Sequence, residues 1–359
     1  MAAGSRHAGW QKFTGIDRRE GAILRVSAET SRVSDASGLE ALLISFFSWG
    51  NKENRVLILA IPQRISAVAQ KQRPLVFVYH SKYATNGSTI MRGRQLSQIV
   101  RDNGVRDAVA FQEVSARLKN SDVFMTKGAV RHTPPRVVEK MKKRGCRILI
   151  DPVDEAIPPH AAPLADVIIA ASHTAFEEFS QSFPDTPVVQ VDHHVDPRVR
   201  AAVGAPAPSE YRAAYFGELF NTIQSPAIEA MVDFYSVSTA NQEATEWFSR
   251  LGDYSFHYAV RARQERDAHK PFLKGFTAAV CGAPVLVQTS EAEPLHWMGA
   301  DYPFLISGES DEASILAALC DAQDAFGGPR WSAALDAMAS IADRTSDARI
   351  ACAVRTALD

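Results

Sequence analysis

Lys270 and Lys274 stand four residues apart in the stretch HKPFLKGFTAAVCGAPVLVQTSE, residues 269–291. Pro271 suits the first position of a helix, Gly282 suits its left-handed C-terminal position, and Pro284 prevents continuation. On such a helix the two lysines share a face, one turn apart. The start of a helix offers unpaired N–H groups and a partial positive charge. Two ammonium groups added there make a clamp for a diphosphate. The alternative is a pair of solvated lysines on an exposed face. Gly275, Ala278 and Ala279 point instead to a helix packed close to a neighbour.

Other reactive side chains gather where strands are expected to end. Arg261 and Arg263 follow the apolar run YSFHYAV, and the carboxyl end of a strand in an open α/β sheet is where ligands collect. Arg261 is expected to assist the diphosphate, whereas Arg263 reads as a surface arginine. The stretch HSKYATNGST (80–89) joins a strand to a helix and can turn backbone N–H groups toward a phosphate, although it lacks any GxGxxG or GxxxxGK[ST] spacing. In DPVDEAIPPH (151–160), Asp151, Asp154 and Glu155 follow a strand, and one of them, Asp154 in this reading, can serve as general base toward a hydroxyl. VDHHVD (191–196) offers His193 for the same chemistry. Its neighbouring side chains alternate between faces, which argues against a metal site there, and no metal is expected.

The elements that must hold these residues follow a simple alternation. From residue 74, PLVFVYH, DAVAFQ, DVFMTKG, CRILIDP, ADVIIAAS and TPVVQVDHHVDP read as strands. IMRGRQLSQIVRDNG, TPPRVVEKMKKRG and HTAFEEFSQSF read as the helices between them. Continuous apolar runs of this kind belong to parallel strands covered on both faces. PRVRAAVGAPAPSEY (197–211) is poor in pattern and reads as a linker. Beyond it RAAYFGE, YSFHYAVR, the strand after Pro284 and DYPFLIS read as strands, with SPAIEAMVDFY and two long C-terminal segments as helices. The expected fold class is α/β, in two domains of similar size with a long helical C-terminus. Residues 71–200 form the first and 201–359 the second, closed by the C-terminal helices. Residues 1–70 are expected to be an extension outside the main fold, partly disordered.

The 359 residues suit two domains of ordinary size, and an apolar share of 46% with 22% charged is that of a soluble globular chain. A net charge of -2 leaves no basic footprint for nucleic-acid binding. Cys146, Cys281, Cys320 and Cys352 lie far apart with no CxxC pair, as expected of reduced thiols in a cytosolic protein. GLEALLISFF (38–47) is about half the length of a membrane helix, and no signal-peptide order is visible. The expected address is the cytoplasm, with a peripheral membrane contact left open.

The order Lys-Pro-x-x-Lys, small residues, Cys-Gly-x-Pro-Val and a glutamate-containing loop resembles the donor-binding segment of GT-B-fold glycosyltransferases of the group 1, family 4-like kind. The resemblance covers roughly 74–345 and is specific over about 210–306. It implies two Rossmann-like domains facing across a cleft, and a metal-independent transfer of a sugar from a nucleotide-diphosphate sugar, as co-substrate and with no further cofactor, to a hydroxyl on a glycan, a lipid-linked glycan or a small molecule. Lys270, Lys274 and Arg261 would hold the diphosphate. YFGELFN (215–221), similar to the strand and turn that open the family's second domain, adds Gly217 and Asn221 to the nucleotide site. On the acceptor side the resemblance implies His80, Asn86 and Gly87. The chain departs from the family where two acids eight apart are usual: aligned on Cys281-Gly282, those places hold His269 and Thr277. Glu291 and Glu293 are the acids left to contact sugar or ribose, so the donor sugar stays open. Other functions in view are a two-domain ligand-binding protein, a GT-B-fold enzyme such as a nucleotide-sugar epimerase, and an inactive relative.

Overall fold

Two compact units, Met1–Gln70 and Lys71–Asp359, divide the chain. The computed structural model describes residues 72–203, 208–238, 246–262, 269–307 and 310–359, and the backbone of three strands before them. These strands, β1 (Phe13–Gly15), β2 (Val26–Ser34) and β3 (Glu40–Phe46), pair antiparallel in that order. They fall within the stretch expected to be an extension outside the main fold, partly disordered. The rest of that stretch lies outside the described residues.

In the larger unit, six parallel strands form the first sheet: β4 (Leu75–Tyr79), β5 (Val109–Glu113), β6 (Asp122–Met125), β7 (Arg147–Ile150), β8 (Val167–Ala170) and β9 (Val188–Gln190). Their order is β5-β4-β6-β7-β8-β9. Around them lie α1 (Gly87–Thr89), α2 (Leu96–Asp102), α3 (Lys127–His132), α4 (Pro135–Lys143) and α5 (His173–Ser182), and α6 (Pro197–Ala202) follows, its Val199 packed into the core of the second sheet. A π-helical turn, Ile90–Gln95, joins α1 to α2. The second sheet has β10 (Ala213–Gly217), β11 (Val232–Ser236), β12 (Phe256–Tyr258), β13 (Val285–Gln288) and β14 (Leu305–Ile306), all parallel, in the order β11-β10-β12-β13-β14. Its helices are α7 (Pro226–Glu229), α8 (Leu273–Val280), α9 (Ala292–Met298), α10 (Glu312–Asp324) and α11 (Pro329–Arg344), after which comes α12 (Asp347–Leu358).

Alternation along each strand sorts the first core into two layers. Val76, Val78, Val123, Met125, Ile148 and Ile150 face α3, α4 and α5 through Ala129, Val138, Met141 and Phe179. Leu75, Phe77, Phe124, Leu149 and Val167 face the other way, onto Leu96, Ile99 and Val100 of α2. Each such side chain contributes about 1.5–3 kcal/mol by leaving water. That second layer is completed by α12, whose Ile350, Ala351, Val354, Ala357 and Leu358 pack into it. The Arg147 guanidinium donates to the last carbonyl of this helix, Leu358 O, at 2.8 Å, a favourable place for a cation. The final helix, grouped with the second domain on sequence, thus packs on the first sheet.

The strand and helix expectations of the first sheet hold, with Gly104 and Gly145 in the left-handed conformation where helices end. Three expectations are corrected. SPAIEAMVDFY is not one helix: α7 stops at Glu229, and Val232–Ser236 pairs in parallel register with β10. Valine, phenylalanine and tyrosine there fit a pleated edge better than a helix. The linker 197–211 begins with α6, started by Pro197 and capped by the Asp196 carboxylate. Pro271 precedes α8 by two residues instead of opening it, although Gly282 takes the expected positive φ of 66°. No helix among the described residues is long and apolar enough to cross a membrane, and all four cysteines are free.

Candidate functional site

The carboxyl end of the second sheet is built around Lys274. It lies in the first turn of α8, yet its side chain turns inward: Nζ donates to Phe216 O at 2.7 Å and sits 4.0 Å from the centre of the Tyr215 ring. Burial pushes this ammonium down to about 7, the Arg261 and Lys270 charges push the same way, and Glu218 opposes them. Three cations therefore converge on the strand ends of β10 and β12. Lys270 lies three residues before α8, so it flanks the helix start and does not form part of it. Phe272, at the helix N-cap, supplies no side-chain acceptor for the first N–H groups.

Gly217 is what admits the lysine. A Cβ built there would lie 2.2 Å from Lys274 Nζ and 2.8 Å from the Tyr215 hydroxyl. Beyond Gly217, Tyr215 OH donates to Glu218 O at 2.8 Å, and Asn221 Nδ2 donates to Glu218 Oε2 at 3.2 Å. Arg261 has its backbone fixed on both sides. Its N–H donates to Gln288 Oε1 at 2.6 Å, its carbonyl accepts from Gln288 Nε2 at 3.1 Å, and it forms an antiparallel bridge with Thr222. Its guanidinium approaches Glu291 at 3.4 Å. Gly217, Asn221, Arg261, Lys270, Lys274 and Glu291 are thus brought to one edge. Arg263 lies outside the described residues.

Glu293 goes elsewhere. It is buried on α9, and its Oε1 accepts from the N–H of Thr174, at the start of α5, at 2.6 Å. Burial raises its pKa, and the helix N–H opposes the rise. His269 is likewise committed to α5, with Nε2 2.7 Å from Glu178 Oε2. Thr277 is half-buried on α8.

At the carboxyl end of the first sheet, Asp151 is fully buried and accepts from Arg92 Nε at 2.7 Å. Arg92 also donates through Nη1 to Asp192 O at 2.9 Å. The π-helical turn carries Arg92, and a widened turn of this kind commonly marks a functional place. Its guanidinium is completely enclosed, which sequence reasoning missed. A signal was present: Arg92 shares a helix face with the apolar Leu96 and Ile99, four and seven positions on. His193 is buried beside this pair, its Nδ1 is 3.0 Å from His194 O, and burial with the Arg92 charge lowers its pKa to about 4. It is therefore a neutral imidazole at pH 7. His194 packs against it and reaches Gln95 Oε1 at 3.2 Å. Asp154 is half-buried and paired with Lys127 at 2.6 Å, which Glu155 shares at 3.2 Å.

His80 caps the turn after β4, its ring 5.6 Å from that of His132, which itself stacks on Tyr83 at 4.8 Å. Asn86 and Gly87 open α1 with no side-chain cap bond. These three residues line the same strand edge as Asp154, and Tyr83 and His132 join them there unforeseen. Among the described residues no group of three or more His, Cys, Asp or Glu side chains converges as a metal site.

Two parallel α/β sheets with flanking helices, joined in this way, are the GT-B fold of glycosyltransferases, and comparison with solved structures agrees. A glycosyltransferase from Rickettsia africae matches with a TM-score of 0.55 at 7% identity, over 78% of this chain and 96% of that one. HepE of Anabaena, in complex with UDP and glucose, matches with a TM-score of 0.52 at 11% identity, over 79% of this chain and 98% of that one. The same protein in complex with UDP-glucose matches with a TM-score of 0.51 at 12% identity, over 79% and 98%. No protein-family model matches the sequence, and no curated protein matches it by sequence.

Proposed function

We propose that this chain is a glycosyltransferase that moves a sugar from a nucleotide-diphosphate sugar to a hydroxyl acceptor. The observation that carries the reading is the convergence of Lys270, Lys274 and Arg261 at the strand ends of the second sheet, with Lys274 pushed down to about 7 by burial first and by the Arg261 and Lys270 charges second. Cations gathered at a partly buried edge, beside Glu218 and Glu291, can also hold the phosphates of a ligand. Structures of the same fold that hold UDP, glucose or UDP-glucose support the choice of a nucleotide sugar.

The reaction needs stabilisation of the charge that builds on the leaving diphosphate. Lysine and arginine side chains can supply it, so a metal-independent transfer is part of the proposal. The acceptor hydroxyl, on a glycan, a lipid-linked glycan or a small molecule, would approach from the first domain past His80, Asn86 and Gly87. Asp154 or neutral His193 would take its proton, since both lie on that edge and His193 keeps a free-base form at pH 7. Glu291, beside Arg261, is the acid placed to meet ribose or sugar. A cytoplasmic enzyme of glycan biosynthesis fits these roles.

The test is a thermal shift panel of UDP-, GDP-, ADP- and CMP-linked sugars. Ligands that bind the folded state raise the melting temperature by mass action. A shift with one nucleotide class supports the reading and names the donor. A flat panel at millimolar concentration rejects it.

A further inference from the structure

His269 stands where the resembling enzymes carry an acid, and its side chain is turned away from the strand ends. Nε2 lies 2.7 Å from Glu178 Oε2 on α5, and the ring meets the edge of buried Phe179 at 5.0 Å. The backbone is held as well: Ser172, the N-cap of α5, donates through Oγ to His269 O at 2.8 Å. Two further contacts join the same end of α5 to the second domain. Thr174 N–H donates to Glu293, and the rings of His173 and His296 stack at 3.7 Å with 14° between planes. Immediately after His269 come Lys270 and, across one tight turn from Pro271 to Leu273, Lys274.

We infer that Glu178 of the first domain is a positioning residue for the cation cluster of the second, which it holds in place through His269. The inference rests on the phosphate-binding reading of Lys270 and Lys274. Glu178 does not touch that cluster, and its side chain is 56% exposed, so its own contribution to folding is small. His269 is 7% exposed at its side chain and sits one residue from Lys270. Movement of α5 relative to the second sheet is therefore passed to Lys270 by one covalent step. His269 is thus one of the ties between the two domains, and the one next in sequence to Lys270.

The experiment uses the full chain with UDP as probe. Glu178→Ala should raise the Kd for UDP by roughly three- to thirtyfold, as expected for coupling through a residue outside the ligand contact. Its melting temperature should stay within about 2 °C of the wild type, the range of a surface change. Glu178→Gln, which keeps an acceptor oxygen, should fall between the two. On a Lys270→Ala, Lys274→Ala background the substitution should have no further effect, because neighbours that act through one another are not additive. Amide exchange without ligand should quicken at 269–276 and not at 285–288. Unchanged UDP affinity together with unchanged exchange at 269–276 would overturn the inference. If the wild type binds no nucleoside diphosphate at all, the phosphate reading fails, and the exchange result alone decides whether Glu178 fixes this segment.

Discussion

The ammonium of Lys274 lies 2.7 Å from the carbonyl oxygen of Phe216 and occupies the volume that a side chain at residue 217 would fill. A lysine at the start of a helix thus becomes part of the floor at the end of a strand 57 positions earlier in the chain. Its charge is held by a carbonyl and a ring face, both neutral, and so stays available to an anion. Cations over aromatic faces gain about 0.5–2 kcal/mol, which partly offsets the cost of burial.

Lys274→Ala and Lys270→Ala should each weaken binding of the cognate nucleotide sugar by about 10- to 100-fold, since a hydrogen bond to a charged group contributes roughly 1.5–3 kcal/mol. The two should differ in stability. Removing Lys274 takes away a buried cation beside two others, so its melting temperature should hold or rise. Isothermal titration and a melting curve on each variant check both points. Full affinity in Lys274→Ala would remove it from the site.

Nucleotide-sugar affinity should fall as pH rises above 7. Lys274 loses its proton near that value in the free protein, and only the ammonium attracts the diphosphate. The two phosphates of a nucleotide sugar do not titrate in this range, so the slope belongs to the protein. It should approach tenfold per pH unit above 7 and be flat below. Stability of the free protein should move the other way. An unfolded lysine keeps its proton to about pH 10.4, so between 7 and 10 the unfolded chain holds more protons, and unfolding becomes harder with rising pH. Titrations in buffers of different ionisation enthalpy would register the proton taken up on binding.

Gly217→Ala should act as a lysine displacement. The new methyl group would meet Nζ, the free end of a flexible chain, and the Tyr215 hydroxyl. We expect a loss of about 1–3 kcal/mol in stability from the crowding. Donor affinity should drop as in Lys274→Ala. An alanine variant that binds normally would mean the ammonium has another resting place.

Arg92→Met should destabilise the first domain by about 3–5 kcal/mol, because it leaves the Asp151 carboxylate buried without its partner. Replacing both, with Arg92→Met and Asp151→Leu, should recover most of that loss. Urea unfolding separates the two results. If the double variant is stable but inactive, the pair is retained for its hold on the Asp192 carbonyl beside His193.

Much of this was readable in the chain. Apolar runs such as Leu75–Tyr79 announce strands covered on both faces, and Gly104, Gly145 and Gly282 mark helix ends because left-handed backbone favours them. The segment 225–235 misled because its apolar residues recur at helical spacing, and only pairing with β10 decides for a strand. The cation-rich edge was legible as a pair of lysines. That Lys274 bends inward was not, since it depends on the absence of a Cβ at Gly217, far away in sequence. His269 was visible as a departure from an expected acid. Its partner Glu178 lies 91 positions away on another domain, beyond any local pattern.

The last helix, α12, lies on the first sheet, and its placement sets an order of events during synthesis. Leu75, Phe77, Leu96 and Ile99 belong to the early part of the chain, yet the apolar layer they build is completed by residues 347–358. Domains usually close in the order in which they leave the ribosome. Here one face of the domain made first is only partly covered, by α2, until residues 347–358 have followed the second domain out.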